Sequence, residues 1–293
     1  MSMATKVKEL REITGAGMMD CKKALEATGG DIKLAIDKLR EMGIAKSDKK
    51  AGRVAAQGIV EIHQENDQQA VMLEVNCETD FVARDENFLT FVANTAKTAL
   101  HHQVQDVAHL VNLPLMGQIP SVSVDEARKA LIAKVGENIN VRRLVLTKRA
   151  GTLGTYSHGG RIGVVVELDN DNKELAKDIA MHIAASKPIV ITPEEVPADV
   201  IAKEKEIYMA QAANTGKPQD IIEKMVAGKL KKYLDEVSLL GQPFVKDPDV
   251  TVGSLLSKHR AKVVTFARFE VGEGIEKVTE DFVEAVMAQV NNG

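Results

Sequence analysis

Val71-Met72-Leu73-Glu74-Val75-Asn76 and Val164-Val165-Val166-Glu167-Leu168-Asp169 are the two stretches that decide the architecture. Leu73-Glu74-Val75-Asn76 matches Val166-Glu167-Leu168-Asp169 in character and in place. A second strand-like run precedes each: Gly58-Ile59-Val60-Glu61-Ile62-His63 in the first case, Gly154-Thr155-Tyr156-Ser157-His158 in the other. A helix-like run comes after each, with Phe88, Phe91, Val92 and Ala99 on one face of the first and Leu175, Ile179 and Ile183 on one face of the second. The pattern predicts a weak internal repeat. Each copy is two short antiparallel strands and then a helix, which makes the core α+β.

The copies differ where strand passes into helix. Eleven residues separate Asn76 from Phe88, but only five separate Asp169 from Leu175. The extra six fall in Asn76-Cys77-Glu78-Thr79-Asp80-Phe81-Val82-Ala83-Arg84-Asp85 and carry Asp80-Phe81. An insertion on a repeated scaffold is where function tends to be added. Two readings of Phe81 are open. A phenylalanine after a strand usually folds back as a core plug. If it is offered outward instead, an apolar wedge and an acid reach a partner's surface together, which suits prising a site open.

Working outward, the N-terminal segment reads as three short helices. Their stripes are Val7, Leu10 and Thr14, then Met18, Cys21 and Leu25, then Ile32, Ile36 and Leu39. Thr14-Gly15-Ala16-Gly17 and Gly29-Gly30-Asp31 break them, Asp31 sits as an N-cap, and Gly43 can close the third. Of Met18-Met19, one is expected in the core and one on the surface. Lys46 to Arg53 reads as a polar linker. Between the copies, Asp125 to Val135 is helix-like and Ile139 to Lys148 strand-like, whereas His101 to Val124, with Pro114 and Pro120, reads as irregular. After Ser186-Lys187-Pro188, Asp199 to Val237 is an antiparallel helical hairpin joined by Thr215-Gly216-Lys217-Pro218. Its stripes are Val200, Ile207 and Met209, and Ile221, Ile222, Met225, Leu230 and Leu234. Lys262 to Val271 is strand-like, and a last helix carries Phe282, Val283, Val286, Met287 and Val290. The expected organisation is a helical module over 1–45, a linker over 46–53, core parts over 54–148 and 149–198, the hairpin over 199–237, a return to the core over 238–275 and a C-terminal helical module over 276–293.

Composition narrows the function. The 293 residues suffice for two or three domains, and a net charge of -4 disfavours a dedicated nucleic-acid binder. Aromatics are 3% with no Trp, so base-stacking platforms are not expected. No secretory segment or membrane-spanning run is read. Cys21 and Cys77 stand apart, outside any CxxC pattern, which fits a reducing cytosol. Catalytic motifs are missing: there is no phosphate loop, GxSxG, HExxH or paired CxxC. Gly272-Glu273-Gly274 lacks the third glycine of a dinucleotide fingerprint. His101, His102 and His109 have no acid or Cys to complete a metal set, and read as a solvated loop. Glu78 beside Cys77 would raise the thiol pKa, which argues against a catalytic thiolate. His158-Gly159-Gly160-Arg161 reads as a hairpin turn. No enzyme and no cofactor are expected. Binding is the expected activity, with a scaffold or assembly role as the competing class.

Several ordered segments together resemble the bacterial elongation factor Ts family. They are Val7-Lys8-Glu9-Leu10-Arg11, Thr14 to Leu25, Thr79-Asp80-Phe81-Val82-Ala83-Arg84, Gly136-Glu137-Asn138-Ile139-Asn140-Val141-Arg142-Arg143 and His158 to Val164. Ile179 to Pro188, Gly241-Gln242-Pro243-Phe244-Val245 and Phe269 to Gly274 complete the series across nearly the whole chain. The resemblance implies a guanine-nucleotide exchange factor for elongation factor Tu. It implies a module like a ubiquitin-associated domain (a likeness that does not itself imply ubiquitin binding), a two-subdomain core, a helical hairpin and a C-terminal module. It also implies that Phe81 wedges into the GTPase near its magnesium site and that Asp80 disturbs the magnesium network. Thr79 and Val82 shape the loop, Met18, Met19 and Lys23 grip a GTPase helix, and His158 meets another GTPase domain. Self-association through the hairpin is a further possibility.

Overall fold

The computed structural model describes residues 1–66, 69–148, 151–213 and 218–276. The last expected helix and its stripe from Phe282 to Val290 lie outside these residues, as does Thr215-Gly216-Lys217 of the hairpin connection. The chain divides into two compact units: Met1–His63 with Leu73–Val145 and the chain from Glu270 on, and Gln64–Met72 with Leu146–Phe269. Helices and strands are mixed throughout, as α+β requires.

The first unit begins with α1 (Met3–Thr14), α2 (Met18–Ala27) and α3 (Ile32–Lys50). Gly15 ends α1 in the left-handed conformation and passes its N–H to the Arg11 carbonyl. Asp31 caps α3 by accepting from the Leu34 N–H at 3.0 Å, as the sequence predicts. Leu10, Cys21, Ala24, Leu25 and Ala35 form the small core of this bundle. Met18 and Met19 are both 61% exposed, so neither is the core residue expected. The buried stripe of α2 is Cys21, Ala24 and Leu25. Nor does Gly43 close α3: the helix continues through the expected linker to Lys50. A Cβ on Gly43 would lie 3.5 Å from the methyl of Ala133. The glycine therefore serves close packing and leaves the helix unbroken.

Next come β1 (Gln57–Asn66), β2 (Gln69–Cys77), α4 (Asp80–Ala83), α5 (Glu86–His101), α6 (Val107–Leu110), α7 (Val124–Val135) and β3 (Asn140–Lys148). The sheet order is β1-β2-β3. A central β2 explains why Ala70 to Cys77 are all buried. Among them Glu74 is a buried carboxylate. It accepts from Arg143 Nε at 2.6 Å, Arg142 at 3.1 Å, Asn76 at 2.9 Å and the Gly272 N–H at 2.8 Å. Burial pushes its pKa up, but these donors outweigh burial and hold it below the ordinary glutamate value. The irregular stretch before α7 holds the single turn α6 and a bridge between Pro114 and Ser123. A capping box formed by Ser123 and Glu126 then starts α7.

The second unit carries β4 (Thr152–His158), β5 (Ile162–Leu168), α8 (Lys173–Ser186), α9 (Ala198–Ala213), α10 (Gln219–Val237), β6 (Pro243–Phe244), β7 (Asp247–Thr251), α11 (Val252–Lys258) and β8 (Val263–Glu270). Its sheet order is β4-β5-β8, with β4 and β5 antiparallel from Thr152↔Leu168 to His158↔Ile162. Val164, Val166 and Leu168 pack with Leu175, Ile179 and Ile183 of α8 in one core. In the same unit α9 and α10 form the hairpin, but its seam is shifted from the expected stripes. Ala212, Ile222 and Val226 are buried with Tyr208 and Met209 against them, while Ile207 and Ile221 face solvent. His182 takes the Val245 N–H on Nδ1 at 3.2 Å, so Nε2 carries the proton offered to Gln242 Oε1 at 2.9 Å. Burial keeps this imidazole below its ordinary pKa. Gln242 also donates to the Ser186 and Glu236 carbonyls, at 3.3 and 2.6 Å, so its place in the sequence pattern is structural.

Gly154 lets β4 meet α8. A Cβ there would overlap the Ala176 carbonyl and lie 2.8 Å from the Ala176 methyl. Gly154→Ala is expected to destabilise the second unit by about 1–3 kcal/mol. Urea denaturation should show a lower midpoint at unchanged slope, and an unchanged midpoint would mean that α8 moves aside without cost.

Candidate functional site

Strand β2 ends at Cys77 and α5 begins at Glu86, leaving residues 78–85 between them; β5 and α8 are joined by only 169–172. The longer connection is an ordered double cap. The Thr79 hydroxyl accepts from the Val82 N–H at 3.3 Å and starts the single turn α4. The Arg84 and Asp85 N–H groups close that turn on the Phe81 and Val82 carbonyls, at 3.1 and 3.0 Å. Asp85 then caps α5, accepting from the N–H groups of Asn87 at 2.9 Å and Phe88 at 3.3 Å. Hydrogen bonds with the Asn87 side chain and with these two backbone groups hold the Asp85 carboxyl below the ordinary aspartate pKa.

A helical turn points successive side chains about 100° apart, so one turn has an inner and an outer face. Val82 and Ala83 lie inward, each 9% exposed, and Phe88 in the first turn of α5 is fully buried. Phe81 points out and is 81% exposed. The core-plug reading of Phe81 therefore fails, because Val82 and Ala83 take the buried positions of the turn and Phe81 does not. Burying a phenylalanine is worth about 1.5–3 kcal/mol, and this fold forgoes most of it. Asp80 shares the outer face. It is not bare, since Arg84 lies 3.1 Å from its carboxylate, but both partners are exposed. Exposed pairs of this kind contribute little and break readily.

The beginning of the connection is held from a distance. The Thr79 hydroxyl donates to Glu137 Oε1 at 2.6 Å, and the Glu78 and Thr79 N–H groups donate to Glu137 Oε2 at 3.2 and 2.9 Å. Glu137 is a contact that no reading of local sequence around Phe81 finds; its only signal is its place in Gly136-Glu137-Asn138. Cys77 is buried below, its thiol donating to the Thr79 carbonyl at 3.2 Å. Burial, with Glu137 adding, pushes its pKa up to about 12, so it stays a thiol at neutral pH. Glu78, the cause read from sequence, is a lesser contributor than either.

The other expected residues lie elsewhere in the fold. Met18, Met19 and Lys23 are exposed on α2, whose buried residues are Cys21, Ala24 and Leu25. His158 is exposed in the second unit, at the end of the β4–β5 hairpin, with Nδ1 3.2 Å from the Tyr156 hydroxyl. Gly159 and Gly160 turn that hairpin at φ 58° and 69°, where only glycine is unstrained, as the sequence predicts. Among the described residues no cluster of three or more His, Cys, Asp or Glu could hold a metal ion. No described helix is long and apolar enough to cross a membrane.

The Elongation factor TS family model matches residues 78–273, which include the double cap, Glu137 and the Leu146–Phe269 part of the second unit. Elongation factor Ts of Thioalkalivibrio sulfidiphilus (strain HL-EbGR7) is 57% identical over 289 residues, 98% of this chain and 97% of that protein. Elongation factor Ts of Legionella pneumophila (strain Paris) is 55% identical over 288 residues, 98% of each chain. Elongation factor Ts of Francisella tularensis subsp. novicida (strain U112) is 53% identical over 290 residues, 97% of this chain and 96% of that one.

The cap at Asp85 gives a stability test. Asp85→Ala is expected to cost about 1 kcal/mol at neutral pH. A carboxyl with a depressed folded-state pKa contributes fully above its unfolded value and loses that contribution as pH falls through the folded one. Urea midpoints of the wild type and the variant should therefore differ at neutral pH and converge in acid. A gap that persists in acid would assign the loss to something other than the ionised cap.

Proposed function

The chain belongs to the elongation factor Ts family, which makes it a translation elongation factor, and we propose that it is a guanine-nucleotide exchange factor for elongation factor Tu. The observation that carries this reading is Phe81, held in solvent on a capped turn beside an acid whose ion pair is weak. Phe81 is the wedge that enters the GTPase beside its magnesium site. Asp80 disturbs the ligands of that magnesium, and Thr79 and Val82 fix the turn from which both project. Met18, Met19 and Lys23 of the N-terminal module, which is of the ubiquitin-associated kind, grip a GTPase helix; His158 meets a second GTPase domain. The factor acts in the cytoplasm without a cofactor or a catalytic group. The exposed Ile207 and Ile221 of the hairpin are available for self-association.

Exchange of this kind is binding, not covalent chemistry. A factor that binds the nucleotide-free GTPase more tightly than the GDP-bound form weakens GDP by the same ratio. Each factor of ten in that ratio is about 1.4 kcal/mol of coupling. Magnesium bridges phosphate and protein oxygens, so shifting its ligands removes a large favourable charge interaction. The partner supplies the ion; this chain supplies an apolar body that occupies space near it and a carboxylate that competes for its surroundings.

Stopped-flow release of fluorescent GDP from elongation factor Tu tests the reading. The protein should accelerate release catalytically. Phe81→Ala should slow release at saturating factor by about tenfold or more, equivalent to about 1.4 kcal/mol, while weakening the binary complex less. Asp80→Ala should slow loss of magnesium and GDP. Equal losses of rate and affinity in Phe81→Ala would make Phe81 an anchor only, and no acceleration by the wild type would overturn exchange.

A further inference from the structure

Two turns far apart in sequence hold each other by a two-way exchange of hydrogen bonds. In one direction, the Glu137 carboxylate takes three donors from the exit of β2: the Glu78 N–H, the Thr79 N–H and the Thr79 hydroxyl. In the other, Glu78 Oε1 accepts the Asn138 N–H at 2.6 Å, and Glu78 Oε2 pairs with Arg53 at 3.3 Å. Asn138 Nδ2 donates onward to the Arg53 carbonyl at 2.8 Å. Gly136 sets the direction of Glu137. It closes α7 at φ 85° with its N–H on the Ile132 carbonyl, and Lys50 donates to its own carbonyl.

We propose that Glu137 is the positioning residue of the exchange loop, holding the Asp80-Phe81 turn preformed for the GTPase. This inference rests on the exchange reading above. A four-residue helix is far too short to be stable alone, because nucleation fixes several residues for one hydrogen bond. Its N-cap is therefore decisive, and that cap is a hydroxyl that can rotate. By donating to Glu137 Oε1, the Thr79 hydroxyl is left with its lone pairs free for the Val82 N–H. Remove Glu137 and the hydroxyl loses this orientation, two backbone donors lose their acceptor, and the turn must be ordered when the partner binds. Ordering at that moment costs free energy that a preformed loop does not spend. Contacts made by α2 or by the β4–β5 hairpin do not depend on this turn. Its loss should therefore fall on the rate of GDP release at saturating factor more than on affinity.

The test is a double-mutant cycle read by release of fluorescent GDP from elongation factor Tu. Glu137→Ala should slow release at saturating factor by about tenfold, with a smaller change in binding to the nucleotide-free GTPase. In the Phe81→Ala background the same substitution should have little further effect, because a loop without its wedge gains nothing from being positioned. Glu137→Gln should recover much of the rate, since its amide oxygen can take the two N–H groups while its NH2 faces the Thr79 oxygen. If Glu137→Ala fails to give a cooperative melt, Thr79→Val carries the same cycle. Wild-type release by Glu137→Ala alongside a slow Phe81→Ala would overturn the positioning role and leave exchange intact. A loss that multiplies fully with that of Phe81→Ala would do the same, marking Glu137 as general support. No acceleration by the wild type would remove exchange and this inference together.

Discussion

A carboxylate that takes three hydrogen bonds from one strand end is the constraint on which the outer loop depends. Glu137 holds the backbone just past β2, Thr79 caps the turn α4, and Val82 and Ala83 are that turn's buried residues. Only then can Phe81 stand in water without folding back. An isolated phenylalanine on a loose loop would collapse onto any apolar surface near it. Here the inward positions are already occupied, and the outward one has no alternative.

The two strand-to-helix connections, set side by side, show what the longer one adds. In each copy a hairpin leads into a helix whose apolar face is buried: Phe88, Phe91 and Val92 in α5, Leu175, Ile179 and Ile183 in α8. Asn172 alone caps α8, accepting from the Leu175 N–H at 3.0 Å, after a connection of four residues. The first copy inserts a complete capped turn before its own helix cap. The inserted turn buries Val82 and Ala83 and exposes Asp80 and Phe81, so it adds an outward face to the connection. Cys77 at the end of β2, just before it, is buried and held as a thiol.

Much of this was legible in the sequence, wherever the signal was local and periodic. The strands near Lys262 and Ile139, the helix near Asp125 and the Asp31 cap all appear where pattern and capping chemistry put them. The departures share a cause, which is that tertiary contacts decided them. Gly43 looked like a stop signal and is a packing residue facing Ala133. Met18 fitted an apolar stripe, yet a three-helix bundle this small closes on Cys21, Ala24 and Leu25. In the hairpin the seam runs through Tyr208 and Ala212, one position beyond the isoleucine that hydrophobicity favoured. Glu137 lies 58 residues from Thr79, and nothing in a single chain's pattern pairs them. Phe81 was ambiguous for the same reason: which side chains of the turn face inward, here Val82 and Ala83, is set by packing and not by the local pattern.

The central claim is that Phe81 is offered in the free protein and taken up by the GTPase. The most direct measurement is fluorine NMR of the full chain with para-fluorophenylalanine at position 81, free and then with nucleotide-free elongation factor Tu. The account predicts a resonance in the free protein that shifts between light and heavy water, as a solvent-exposed ring does. On complex formation it should move and lose that solvent dependence. A resonance insensitive to solvent in the free protein, or one unchanged when the complex forms, would contradict it.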